Sequence, residues 1–276
     1  MNASRFYESH REDALAKQIA ATKYSTFVAM PFRDTFSYRS QEVYKEIIQK
    51  AAEAANKRQT AKHEFDVPWR MDDAPGQAVV ITDEIVVGIL ESHLFVADVT
   101  FQNAGVILET GIALGLKPNR QIILISQGTH EELHFDLKTV RHIFYRDSTA
   151  VEKLADAMVA ASAAFEEDAD KFVKVVVKSL SSPAIQCLHW FGAVRKSRPD
   201  QSLHEGVAEE VFKKWSKGEA LLIFQLATQE LIQKKLLYMH YVPRGAPKGG
   251  GDMWGMGATE LGWAVIENLW PECSRK

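Results

Sequence analysis

Two short runs restrict the fold more than any other feature of the chain. LFVADV (residues 94–99) and RQIILIS (residues 120–126) are apolar at nearly every position, so a strand made from either must be covered on both faces. Between them lies AGVILETGIALGL (residues 104–116), which is long enough for a helix and almost free of charge. Earlier, YSTFVAM (residues 24–30) reads as a strand stopped by Pro31. Residues 44–55 then read as a helix packing through Ile47, Ile48, Ala51 and Ala52, HEFDVPW as a second strand, and residues 82–92 as a helix with Ile85, Val86, Ile89 and Leu90 apolar. HIFYR supplies a last strand. Strands alternating with helices predict an α/β fold, a doubly wound parallel sheet, and ligands in such sheets sit at the carboxyl ends of the strands.

The flanking segments follow other patterns. Residues 1–22 predict an amphipathic helix with Leu15, Ala16, Ile19 and Ala20 at helical spacing, and residues 23–150 form the α/β domain. Residues 151–178 are an Ala-rich connecting helix, and residues 179–276 form a second domain. That last part predicts helices at 183–191, 206–215 and 220–234, a hairpin of LLYMHYV and MWGM around PRGAPKGGGD, and a closing helix from Thr259. From Lys171 onward there are 15 Lys+Arg against 10 Asp+Glu, a net charge of +5. The first 170 residues carry 18 against 26, a net charge of −8. A basic half suits a polyanionic partner.

Function classes fall away on composition and motif. No apolar run reaches membrane-spanning length and residues 1–20 are not signal-like, which predicts a cytoplasmic protein without a membrane partner. The two cysteines, Cys187 and Cys273, are too few and too distant for a disulfide framework. There is no phosphate-loop motif, no G-x-S-x-G and no Rossmann glycine fingerprint, and the nine histidines have no metal-ligand spacing, so neither metal nor cofactor is expected.

One residue breaks the apolar pattern of residues 104–116. Glu109 is three residues too late for a capping box closed by Asn103, whose third following residue is Val106. It also has no helical ion-pair partner, since Gly105, Val106, Ile112 and Ala113 occupy those positions. A carboxylate so placed points over the end of the sheet, where a role or a distant partner has to offset the cost of burial.

The run V-A-D-V-T-x-x-N-x-G-V-x-x-E-x-G-x-A, from Val96 to Ala113, together with F-V-A-M-P-F from Phe27 to Phe32, resembles the signature of the nucleoside 2-deoxyribosyltransferase superfamily, which includes 2′-deoxynucleoside 5′-monophosphate N-glycosidases. The resemblance covers residues 23–147. It implies that Glu109 is the nucleophile of a retaining glycosidase reaction at C1′, kept ionised by the nearby helix N-terminus. It also implies that an acid at the start of the preceding helix, Asp83 or its neighbour Glu84, holds or protonates the leaving base; a favourable acidic first turn explains the same pair. Asn103 stands where the transferases have an aspartate, which is closer to the nucleotide hydrolases.

Other positions carry further expectations. Phe32 and Arg33 are candidates for stacking on a base and meeting a phosphate, and a surface loop explains them equally. Asp72 and Asp73 are candidates for ribose hydroxyls or a solvated turn. Asp98 is a candidate for binding substrate or capping the following turn. Gly105 is expected to allow approach of ligand, and Gly111 approach to the sheet.

The last segment, LIQKKLLYMHYVPRGAPKGGGDMWGMGATELGWAVIENLW, resembles a winged helix-turn-helix. A glycosidase domain followed by a winged helix is similar to the effector subunits of bacterial retron antiphage systems. That resemblance implies DNA or RNA, in particular a retron RNA-DNA hybrid with its reverse transcriptase, as partner, and a nucleotide, nucleoside or NAD⁺ as substrate. Lys213, Lys214, Lys217, Lys234, Lys235, Arg244 and Lys248 are the candidate phosphate contacts. A homo-oligomer is expected, since family pockets are commonly completed by a neighbouring subunit. Two further readings stand beside this one: a metabolic deoxyribosyltransferase or nucleotide hydrolase, and a non-catalytic nucleotide sensor that regulates transcription.

Overall fold

The computed structural model describes residues 3–35, 37–58, 61–71, 81–128, 137, 140–146, 148–197, 219–242 and 253–271. The chain divides into two units, Met1–Ala169 and Asp170–Lys276.

The first unit is mixed α/β. After helix α1 (Ala3–Ala20) come strands β1 (Lys23–Tyr24) and β2 (Thr26–Ala29). A helical stretch follows: α2 (Ser40–Glu42), a π-helical segment Val43–Gln49, and α3 (Lys50–Lys57). Then come β3 (Glu64–Phe65), α4 (Ile81–Glu91), β4 (Leu94–Asp98), α5 (Ala104–Leu116), β5 (Ile122–Ser126), β6 (His142–Phe144) and the long helix α6 (Ala150–Lys178). Strands β2, β4, β5 and β6 form one four-stranded sheet in the order β2-β4-β5-β6, every pair parallel.

On the other side of β2 runs the segment that begins with β3. Lys23 and Tyr24 pair in parallel with Glu64 and Phe65, and Phe27 bridges to Trp69. Two interruptions shorten these strands relative to their apolar runs. Pro68 lacks an N–H and breaks the ladder ahead of Trp69, while the N–H of Ser25 donates to His93 Nδ1 at 3.0 Å and so separates β1 from β2. The chain therefore passes from β2 to its outer neighbour and returns past β2 to β4. In open α/β sheets ligands bind outside the carboxyl ends of the strands that flank such a reversal, here β2 and β4.

Alternation along the strands divides the core. Val28, Met30, Leu94, Val96, Ile123 and Ile125 face the π segment, α3 and Leu154, Met158 and Phe165 of α6. Phe27, Ala29, Phe95, Ala97, Ile122 and Leu124 face Ile85 and Ile89 of α4 and Val106 and Ala113 of α5. The sheet is thus covered on both sides, which is what strands without a polar face require. Gly88 shows how closely α4 lies on it: a Cβ there would come within 2.6 Å of Trp69 Cη2 and 2.9 Å of Phe27 Cε2. Gly111, expected to make the same approach for α5, is exposed, and a Cβ on it would meet nothing within 4 Å. Its register on α5 differs from that of the inward positions Val106, Thr110 and Ala113.

In the second unit, α7 (Ser182–Ser197), α8 (Glu219–Gln233) and α9 (Glu260–Leu269) accompany an antiparallel pair, β7 (Leu237–Val242) and β8 (Met253–Ala258). Thr259 caps α9 by accepting the N–H of Gly262 at 3.0 Å, and its own N–H donates to Leu236 O. A Cβ on Gly262 would lie 2.1 Å from Leu236 O, so only glycine lets the start of α9 touch the start of β7. No described helix is long and apolar enough to cross a membrane.

Candidate functional site at the carboxyl edge of the sheet

The carboxyl edge of the sheet is organised by Asp98, the last residue of β4, which is fully buried. Its Oδ1 accepts the N–H of Thr100 at 3.1 Å and the hydroxyl of Thr100 at 2.5 Å. Its Oδ2 accepts the phenols of Tyr38 at 2.9 Å and Tyr145 at 3.0 Å. The network reaches the loop after β5, because the N–H of Gln127 donates to Thr100 Oγ1 at 3.0 Å. Asp98 therefore ties together the loops that follow β2, β4 and β6. Burial pushes its carboxyl upward and the four donors oppose that shift. Both phenols are raised by burial first and by the neighbouring carboxylate second. Of the two roles read from the sequence, the structure shows Asp98 engaging the following turn; both its oxygens are occupied by the protein.

Glu109 is different. It lies between Val106 and Ala113 on the inward stripe of α5, in the second turn, and is half-buried. Among the described residues it has no hydrogen-bond or ion-pair partner. Burial alone pushes its carboxyl up to about 7. The expectation that the helix N-terminus would keep it ionised thus needs correction: Glu109 is the sixth helical residue, and the terminal field fades within the first turn. Asn103 caps α5, its Oδ1 accepting from Gly105 N–H at 3.0 Å and Val106 N–H at 3.3 Å. Gly105 is exposed, and a Cβ there would sit 3.3 Å from that same oxygen.

The loop leading into α5 is conformationally unusual. Phe101 and Gln102 both have positive φ, 59° and 48°. Two successive left-handed residues without glycine cost of order 1–3 kcal/mol each, and such strain collects at functional sites. One consequence is visible: Phe101 stays 60% exposed, with its ring 6.1 Å from that of Tyr38. Phe32, in the loop after β2, is 56% exposed, and Arg33 beside it is exposed. Behind this loop, Asp34 accepts the N–H and hydroxyl of Ser40, which hold its carboxyl below the usual range.

Asp83 and Glu84 occupy the exposed first turn of α4. Because α4 and α5 cover the same face of a parallel sheet, both helices start at the edge where Asp98 lies, so the two acids and Glu109 belong to the same edge. Among the described residues no hydrogen bond or ion pair joins them. Asp72 and Asp73 lie outside the described residues. Their neighbour Arg70, missed in the sequence, is 3% exposed, donates to Met30 Sδ at 3.6 Å and lies 4.4 Å from the centre of the Tyr44 ring. A single arginine after a strand carries no signal that it will fold inward over an aromatic ring. Tyr38 and Tyr145 were missed for a similar reason, since only the assembled sheet brings them to Asp98.

In the second unit, Lys213, Lys214, Lys217, Arg244 and Lys248 lie outside the described residues. Lys234 is half-buried and donates to Ser179 Oγ at 3.1 Å, and Lys235 is exposed with φ 57°. Helix α8 contains no Lys or Arg, and Leu222, Ile223 and Leu226 stand exposed on it. Among the described residues no cluster of three or more His, Cys, Asp or Glu could hold a metal ion. No family model, no curated protein and no solved structure matches the chain.

Proposed function

We propose that the first unit is a nucleoside deoxyribosyltransferase-like N-glycosidase that breaks the base–sugar bond of a nucleotide, or the nicotinamide–ribose bond of NAD⁺. The observation that carries the proposal is Glu109: a half-buried carboxylate with no described partner, on the inward stripe of α5, at the carboxyl edge of the sheet. Structural carboxylates in this protein look otherwise, as Asp98 with its four donors demonstrates.

In the proposed reaction an oxygen of ionised Glu109 bonds to C1′ as the glycosidic bond breaks, and the base leaves with that electron pair. Asp83 or Glu84 supplies a proton to the departing base when its nitrogen requires one. Water then attacks C1′ of the glycosyl ester, passing one proton to the acid that protonated the base, or to solvent where none was needed, and releases the sugar with Glu109 again a carboxylate. Exposed Phe32 and Phe101 offer flat apolar surface for a base, and Arg33 a cation for a phosphate. Asp98 holds the surrounding loops and touches no substrate.

The second unit, in this reading a winged helix-turn-helix, controls the enzyme as in retron-type antiphage defence, its basic residues engaging a nucleic acid. The apolar exposed face of α8 favours an added protein contact on that helix, since phosphate binding needs cations there.

The test is chromatography of a panel of ribo- and deoxyribonucleotides, nucleosides and NAD⁺ after incubation with wild type and Glu109→Gln. Free base or nicotinamide with wild type alone is expected. A panel left intact by wild type, with and without added RNA-DNA hybrid, overturns the enzymatic reading in favour of a ligand-sensing domain.

A further inference from the structure

At the amino end of the sheet, away from Glu109, there is a cavity of about 460 Å³. That volume falls within the roughly 300–1,000 Å³ of small-molecule sites. Its wall is unexpected in a domain that carries excess negative charge: Arg11 of α1, Lys117 at the end of α5 and Arg120 just before β5 all face it, with Asp168 of α6 as the one acid. Arg120 is already engaged, donating to Glu167 at 2.7 Å and Asp168 at 2.6 Å. Arg11 and Lys117 have no carboxylate partner among the described residues.

Lys117 is 7% exposed, and its ammonium donates to Ser92 O. A lysine has three N–H donors, and that carbonyl takes one. Burial first, and the nearby Arg11 second, bring its ammonium down to about 7. The two groups face one cavity and Arg11 disfavours the charge on Lys117, a repulsion that an anion between them would relieve. The negative ends of α4 and α5 account for the single bond to Ser92 O; they do not account for Arg11 or for the open volume. Leu15 and Phe165 supply an apolar wall in the same cavity.

We propose that this cavity is a second ligand site, taking a small molecule with one oxyanion, phosphate or carboxylate, between Arg11 and Lys117 and an apolar body against Leu15 and Phe165. It is independent of the glycosidase reading, because none of its residues lies at the carboxyl edge.

Phenyl phosphate, titrated by calorimetry, is the probe, with benzoate as the carboxylate counterpart and phenol as the uncharged control. Saturable binding of at least one anion to the full chain is expected at about 0.1 to 1 mM, with phenol silent. Arg11→Glu, on an exposed helical position, is expected to weaken the anion at least about tenfold. Lys117→Met should do the same, with circular dichroism confirming its fold. Glu109→Gln should leave the affinity unchanged. No saturation by either anion up to about 10 mM, undiminished binding by Arg11→Glu, or a changed affinity in Glu109→Gln would each overturn the proposal, the last by placing the probe at the other edge.

Discussion

The two edges of the parallel sheet handle buried polar groups in opposite ways. At the carboxyl edge, Asp98 is saturated by side-chain hydroxyls and a backbone N–H, and Glu109 beside it is left without a described partner. At the amino edge, Gln18 and His93 are satisfied largely by backbone. Gln18 donates to the carbonyls of Leu90 and Ser92 at 2.6 Å each, and His93 is held between Ser25 and Gln18 O at 2.9 Å. Because Ser25 N–H donates to Nδ1, the proton of His93 must sit on Nε2, and burial lowers the imidazole to about 4. Gln18 and His93 thus clamp α1 to the amino edge through backbone groups, whereas the carboxyl edge leaves a carboxylate unmatched on the helix that follows β4.

Five experiments break or sharpen that contrast. Glu109→Gln should lower base release by about 10³-fold or more, since a nucleophile is lost outright. Asp98→Ala should cost about 3–5 kcal/mol in denaturant unfolding, because it takes the acceptor from the buried Tyr38 phenol and leaves Thr100 and Tyr145 only each other; a loss below about 1 kcal/mol would show that the loops close without it.

The third test concerns His93. Its folded pKa is depressed, so the unfolded chain binds the extra proton and stability is present above about 6.5 and lost as pH falls towards 4. The stability advantage of wild type over His93→Gln should shrink by roughly 3 kcal/mol between pH 7 and pH 4. Fourth, Tyr38→Phe and Tyr145→Phe should each cost about 1 kcal/mol, and both together more than their sum if Thr100 alone cannot satisfy Asp98.

The fifth test uses pH at Glu109, whose folded pKa is raised to about 7. Folding is favoured below the unfolded value of 4.5 and that advantage is lost as pH rises through 7, so Glu109→Gln should melt on the order of 2–4 °C above wild type at pH 8 and not at pH 4. Activity should move the other way: the attacking form is the carboxylate, and kcat/KM should rise with pH through about 7.

Much of the first unit was legible because each strand and helix has its own period. Residues 104–116 form the predicted helix from end to end, and β4 and β5 fall within their apolar runs. The second strand was legible only in part, because Pro68 leaves it to pair through Phe65 and then again at Trp69. Glu109 was visible as a break in an apolar helix, which is a local signal. Tyr38, Tyr145, Arg70 and the cavity around Lys117 were not visible: their partners are 60, 47, 40 and 25 residues away, and no spacing rule connects residues across a parallel crossover.

Sequence alone determined the alternation of strands and helices, the two-sided burial of the sheet and the anomaly at Glu109, because periodicity and local charge pairing are properties of neighbours along the chain. Tertiary structure alone decided that Asp98 fastens loops, that burial raises the Glu109 carboxyl, and that Arg11 and Lys117 face one cavity. Those outcomes depend on desolvation and on contacts between distant segments, and both exist only once the sheet has assembled.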